Sequence, residues 1–360
     1  MNELAIAGQS IWYDYIRRRF IESGELKSLI NQGLRGITSN PSIFENAIAK
    51  SNDYDDDIRA IIPKNLSDEM VYEFLAFKDI AMAADLLKPV YEASQGIDGY
   101  VSIEVNPKLA HDTAGTISDA KRIFMILNRP NVMIKIPATS QGIPAITEVI
   151  GSGINVNVTL IFGVENYVAV ADAYLAGLEL LIQRGGNPKS VSSVASLFIS
   201  RIDAAVDKKL DKLNAFNLKG KVAIANARKS YMVFEEIIKS KRWLQLADKG
   251  AAFQRLLWAS TGTKNPEFPD TLYIDQLIEN HTVNTVPPAT LTAWLDHGII
   301  RTLPKNRFED SEKNLITLKS LNINLKMITD QLQTEGLSSF STAFENLLNA
   351  IHLKVNHFKA

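Results

Sequence analysis

Short runs rich in β-branched and apolar residues alternate with longer helical patterns from one end of this 360-residue chain to the other. The runs are 10–15, 36–39, 100–106, 132–137, 154–162, 192–199, 254–260 and a weaker one at 283–287. Between them lie helical patterns such as 68–92, 116–127, 143–150, 164–184, 202–213 and 223–239. Strand followed by helix, repeated, pairs strands in parallel and packs the helices outside them. About eight such units predict a closed (β/α)8 TIM barrel rather than an open sheet. The 13 prolines and 19 glycines fall mainly at element ends, and no low-complexity linker divides the chain, so one barrel domain over 1–360 is expected. The segment 46–99, between the second and third strands, is long. In 338–360, Phe344, Leu347, Leu348 and Ile351 stand at helical spacing, which predicts a C-terminal helix packed on the barrel. A lid over the site is the alternative reading of that stripe.

Lys135 sits inside VMIKIPA, 132–138, an apolar run where a charged amine has no ordinary reason to be. A strand of this composition is buried on both faces. An unpaired ammonium removed from water tends to lose its proton, and a neutral lysine is a nucleophile. The competing reading is a lysine that snorkels its amine into solvent.

Three strands share a second pattern. Along 154–159 one parity is Ile154, Val156 and Val158, and the other is Asn155, Asn157 and Thr159. Along 101–106, Val101, Ile103 and Val105 alternate with Ser102, Glu104 and Asn106, and Ser196, Phe198 and Ser200 share a face of the sixth strand. Successive side chains point to opposite faces. Because each strand is followed by an amphipathic helix, the apolar parity faces the helical layer and the polar parity faces the barrel axis. Lys135 shares its parity with Met133 and Pro137, which puts it among these oxygen-bearing side chains. Catalytic residues of barrel enzymes come from the ends of several strands.

Composition removes several function classes. With 39 basic and 40 acidic residues the net charge is -1, and no field attracts nucleic acid or an anionic membrane. The absence of cysteine excludes disulfides and thiolate chemistry. The five histidines are dispersed, without the spacing that would fix a zinc ion. The N-terminus lacks the basic and apolar regions of a secretory signal, and no apolar stretch reaches spanning length. These features predict a cytoplasmic enzyme with no metal or other cofactor and no nucleic-acid or membrane partner, either a monomer or a homodimer.

Residues 36–44, GITSNPSIF, and 132–142, VMIKIPATSQG, resemble the two signatures of transaldolases. YVSIEVNP around Glu104, INVNVTLIF around Asn157 and Thr159, SLFISR over 196–201, WASTGTKNP over 258–266 and HTVNTVPPAT over 281–290 are similar to further parts of that family. The similarity spans nearly the whole chain and is nearest to the longer bacterial branch. It implies a class I, metal-independent aldol transfer on sugar phosphate substrates. Lys135 then forms the Schiff base, Asp14 moves the proton of the C4 hydroxyl, and Glu104, with a water near Thr159, serves carbinolamine dehydration. Asn40 and Asn157 hold substrate hydroxyls, Ser196 lies in the substrate site, and Phe198 keeps water from the enamine. Arg201 and Ser260 match the family's phosphate site. Lys264 stands near the place where shorter members carry a second arginine, and the two cations are not equivalent at a bidentate site.

Each assignment has a plainer counterpart. Asp14 and Asn40 are residue types that cap helices, Glu104 can be half of an interior ion pair with Lys135, and Asn155 and Ser102 are read as structural. A fructose 6-phosphate aldolase is the near alternative in function, although that group has tyrosine where Phe198 stands. A non-catalytic barrel that binds sugar phosphates is the alternative from a different class.

Overall fold

A computed structural model describes residues 1–300 and 303–359. Its strands are β1 (Gln9–Tyr13), β2 (Gly36–Thr38), β3 (Tyr100–Glu104), β4 (Val132–Pro137), β5 (Val156–Ile161), β6 (Ser193–Phe198), β7 (Arg255–Ala259) and β8 (Thr282–Val286). All pair in parallel and in sequence order, and β8 returns to β1, so the sheet closes into a (β/α)8 barrel. The expected strands are all present, most of them shorter at one or both ends, with β1 and β8 beginning one residue earlier and β4 unchanged. Asn106 falls outside β3 because its side chain accepts from Lys108 N at 3.0 Å and caps a short turn.

The helical layer follows the apolar parity. Ile134, Ile136, Val156 and Val158 are fully buried beneath helices such as Gly142–Ile150 and Val164–Gln183. The long segment after β2 is not loop; it contains the helices Pro41–Ala49, Asp55–Ile61 and Asp68–Ala93.

At the amino-terminal ends of the strands the axis is sealed by polar side chains. Arg255 pairs with Asp98 at 2.9 Å and also donates to Ser10 Oγ at 2.7 Å. Trp12 donates to the same aspartate at 3.2 Å, and its ring fills the space that Gly36 leaves, since a Cβ at Gly36 would lie 2.5 Å from it. The plug leaves the carboxyl-terminal mouth as the open end.

That mouth is crossed by the C-terminal helix, which runs Leu325–Lys359 and so begins earlier than the apolar stripe predicts. Position 360 of the expected helix lies outside the described residues. The added portion buries Ile328 and Leu332, which extend the apolar stripe upstream, and is also held by polar and small residues. Gln333 Nε2 donates to the carbonyls of Ala138, at 2.9 Å, and Leu160, at 3.1 Å. Gly336 lies against Leu160, whose Cδ2 would be 2.9 Å from an added Cβ. Farther along, Phe344 stacks edge-on against Tyr72 with ring centroids 5.4 Å apart, and Lys354 pairs with Asp55 at 2.7 Å. Among the described residues no helix is long and apolar enough to cross a membrane.

Candidate active site

Register builds the site. Glu104 of β3 is level with Lys135 of β4, which is level with Asn157 of β5. Partners across a parallel ladder point to the same face, so these three side chains form one row on the barrel interior. Lys135 is 5% exposed and does not snorkel. Its Nζ lies 2.6 Å from Glu104 Oε1 and donates to the carbonyl of Ser39 at 2.9 Å. The amine is therefore not the unpaired group expected from VMIKIPA. Its carboxylate partner is supplied by the neighbouring strand, as the ion-pair reading of Glu104 has it.

The rest of the row is fixed by hydrogen bonds. Asn157 Nδ2 donates to Ser102 Oγ at 3.0 Å, and its Oδ1 accepts from Ser196 Oγ at 2.7 Å. Asn157 is fully buried. Asn155 donates to the carbonyls of Pro130 and Val132, at 2.7 and 3.0 Å, and is structural as expected. After Thr159 the strand alternation breaks at a bulge, where Leu160 takes φ 58°. A left-handed leucine is strained and persists only when its surroundings fix it. Here Gln333 and the tight contact at Gly336 do so. Thr159 Oγ1 is buried without a hydrogen-bond partner among the described residues.

Asp14 follows β1 directly, and its backbone N–H continues the ladder to Val286 O at 2.9 Å. It caps nothing, because the next helix, Arg18–Glu22, is preceded by Arg17. Its carboxylate accepts from Thr38 Oγ1 at 2.7 Å, and Thr38 Oγ1 also lies 2.6 Å from Thr285 Oγ1. Burial pushes the Asp14 carboxyl above its usual value, opposed by the positive charges of Lys135 and Lys264 and by the Thr38 hydroxyl. Burial raises Glu104 in the same way, opposed by Lys135.

Asn40 does cap the helix Pro41–Ala49, since its Oδ1 accepts from Ile43 N at 3.0 Å. The cap uses the oxygen, and among the described residues Nδ2 makes no hydrogen bond. Asn40 therefore serves the helix while still facing the cavity.

All the expected residues except Glu104 and Asn157 line one cavity of about 220 Å³ at the carboxyl-terminal mouth. Glu104 and Asn157 flank Lys135 in its row. Arg201 and Lys264 bring positive charge to this cavity, and among the described residues neither forms an ion pair with a carboxylate. Burial lowers the Arg201 pKa, and its guanidinium carbon lies 5.6 Å from the centre of the Phe198 ring. Ser260 takes φ 55°, which turns the chain back so that its carbonyl accepts from Ser200 N at 3.0 Å and the two hydroxyls lie 3.0 Å apart. A larger cleft, of about 590 Å³ near Gly163, Lys229 and Leu325, contains none of the expected residues. Among the described residues no group of three or more histidine or carboxylate side chains is placed to hold a metal ion.

A profile of the transaldolase/fructose-6-phosphate aldolase family matches residues 11–351. The chain belongs to that family. It is 48% identical to the Transaldolase of Trichodesmium erythraeum, with 98% of this chain and 97% of that protein covered. It is 47% identical to Transaldolase 2 of a Nostoc species, again over 98% and 97% of the two chains. The Transaldolase of Thermobifida fusca is 45% identical over 98% of this chain and 97% of its own length.

Seven cavity residues lie outside the predicted set: Ala259, Gly262 and Pro287, which line the cavity without a polar side chain, and Thr38, Ser42, Thr285 and Phe340. Thr38 and Thr285 join Asp14 to β2 and β8, and Ser42 follows the Asn40 cap. Thr38 and Ser42 lie inside GITSNPSIF and Thr285 inside HTVNTVPPAT, so the motifs contained them without separating them from their neighbours. Phe340, on the C-terminal helix, has no local signal, because an aromatic residue on an apolar stripe reads as packing.

Proposed function

We propose that this chain is a transaldolase that transfers a dihydroxyacetone unit through a Schiff base on Lys135. The donor is a ketose phosphate, sedoheptulose 7-phosphate or fructose 6-phosphate. The acceptor is an aldose phosphate, glyceraldehyde 3-phosphate or erythrose 4-phosphate, as in the non-oxidative pentose phosphate pathway of the cytoplasm. The observation that carries the reading is the Glu104–Lys135 contact of 2.6 Å at the wall of a mouth cavity that also receives Arg201 and Lys264.

In this reading Glu104 accepts a proton from the Lys135 ammonium, and the freed amine adds to the substrate carbonyl. Glu104, with a water at the unpartnered Thr159 hydroxyl, returns the proton to the carbinolamine oxygen, which leaves as water and gives the iminium. Asp14 takes the proton of the C4 hydroxyl while the C3–C4 bond breaks and its electron pair moves to the iminium nitrogen. The aldose leaves and the enamine remains. Addition of the enamine to a new aldehyde reverses these steps, with Asp14 returning its proton to the new alkoxide. A carboxyl pushed up by burial suits a group that both takes and gives a proton. Asn40, Asn157 and Ser196 orient the retained fragment, and Arg201, Ser260 and Lys264 hold the phosphate. The apolar Phe198 side chain beside the site limits water, which favours transfer over release.

The test uses fructose 6-phosphate with borohydride, followed by mass mapping. A permanent adduct on Lys135 supports the imine, and no adduct on any lysine overturns it. Free dihydroxyacetone released at equal rates with and without an aldehyde acceptor would assign the chain to the aldolase arm of the family instead.

A further inference from the structure

The C-terminal helix brings one side chain to the amine. The centre of the Phe340 ring lies 5.8 Å from Lys135 Nζ, and the ring is 8% exposed and lines the mouth cavity. Its position is set from both sides along the helix. Gln333 binds the carbonyls at the ends of β4 and β5, Gly336 presses on Leu160, and Phe344 stacks on Tyr72.

The other neighbours of the amine are oxygen atoms, Glu104 Oε1 at 2.6 Å and the Ser39 carbonyl at 2.9 Å. The Ser39 contact is a hydrogen bond and needs an N–H directed at it, whereas Glu104 Oε1 is an ion-pair partner that makes no hydrogen bond among the described residues. An ammonium has three N–H groups, whereas the iminium of a ketose has one. Imine formation therefore keeps the positive charge, and with it the attraction of Glu104, but leaves a single hydrogen to donate. An aromatic face likewise needs charge and no hydrogen, so its attraction survives the change.

We propose that Phe340 stabilises the iminium form of Lys135 and shields it from water on the side facing the C-terminal helix. This rests on the reading of Lys135 as the Schiff-base nucleophile. The ring adds to the charge stabilisation given by Glu104 from a second direction, and its apolar bulk slows hydrolysis of the imine. Specificity for transfer over release then depends on a residue outside the barrel strands.

The test compares wild type with Phe340→Leu, Phe340→Tyr and Leu347→Ala. The leucine variant keeps apolar bulk and removes the aromatic face, and the tyrosine variant restores that face. Leu347 is fully buried farther along the helix, so its alanine variant loosens helix docking without touching the ring. Each protein is mixed with fructose 6-phosphate and reduced at borohydride concentrations where yield no longer depends on the reductant. The fraction of Lys135 carrying the adduct is read by intact mass, and free dihydroxyacetone is measured without acceptor. Phe340→Leu is expected to lower the trapped fraction about threefold to tenfold and to raise dihydroxyacetone release, with Phe340→Tyr near wild type. Leu347→Ala is expected to trap normally. A Phe340→Leu protein that traps like wild type overturns the proposal, and so does an equal loss in Leu347→Ala. Absence of an adduct in wild type removes the Schiff-base reading itself and is told apart from both results.

Discussion

The Glu104 carboxylate meets the Lys135 amine at 2.6 Å because the two residues are register partners on adjacent strands. Both are almost entirely removed from solvent, and Lys135 is the principal charge that Glu104 faces. Removal of one partner leaves the other buried alone, which is where such pairs are most sensitive.

Lys135→Ala is expected to fold, by circular dichroism, and to lose turnover entirely. It is also expected to lose stability on the order of 3 kcal/mol at neutral pH, because Glu104 is left without a cation. A carboxyl whose folded pKa is raised favours the folded state at low pH and loses that contribution as pH rises through the folded value. The deficit therefore shrinks on acidification, and adding Glu104→Gln restores part of it at pH 7. Urea unfolding checks both points, and equal stability of the single and double variants would contradict the pair.

Thr38→Val removes the hydroxyl that donates to Asp14 at 2.7 Å. That bond favours the carboxylate, so its loss raises the Asp14 pKa further and moves the acid limb of the kcat profile to higher pH. At neutral pH kcat is expected to fall about tenfold, while Thr38→Ser stays near wild type. A pH–rate profile unchanged by Thr38→Val would remove Asp14 from the proton-transfer step.

Arg201→Lys is expected to raise KM for a phosphorylated acceptor about tenfold with little change in kcat, because a point charge replaces a bidentate fork. At saturating fructose 6-phosphate, KM for unphosphorylated glyceraldehyde should be unaffected. Lys264→Ala is expected to act in the same direction, more weakly, as Lys264 is more exposed. Steady-state kinetics with both acceptors separates the two contributions.

Asp203 accepts from Ala223 N at 2.8 Å and from Tyr273 Oη at 2.9 Å, and burial pushes its carboxyl up to about 7. Its stabilising contribution is full below the usual aspartate range and is lost as pH rises through about 7. Asp203→Asn keeps an acceptor for Ala223 and does not ionise. The variant is expected to show a flatter Tm between pH 5 and 8, measured by calorimetry, and a Tm slope equal to wild type would show that Asp203 does not titrate there.

The strand order and the polar parity could be read from the chain because period-2 alternation beneath a helical layer leaves only one interior face. Asp14, Asn40, Lys135, Thr159, Phe198 and Arg201 meet at one cavity, where strand ends and motifs placed them. The Glu104–Lys135 pair stood among the plainer readings of Glu104, but that the two residues are level is a matter of register between strands, which no single segment encodes. The start of the last helix escaped: Ile328 and Leu332 carry its apolar spacing upstream of 338, and the contacts of Gln333 and Gly336 with Ala138 and Leu160 that hold it over the barrel are long-range.

The bulge at Leu160 depends on side chains far downstream in the chain. During synthesis all eight strands emerge from the ribosome before residues 325–359 do. Until then the left-handed turn lacks its clamp and the Thr159 hydroxyl beside it lacks a fixed address. Completion of the carboxyl-terminal mouth is thus a late event in the life of each molecule, and nascent chains with a formed barrel are expected to be inert.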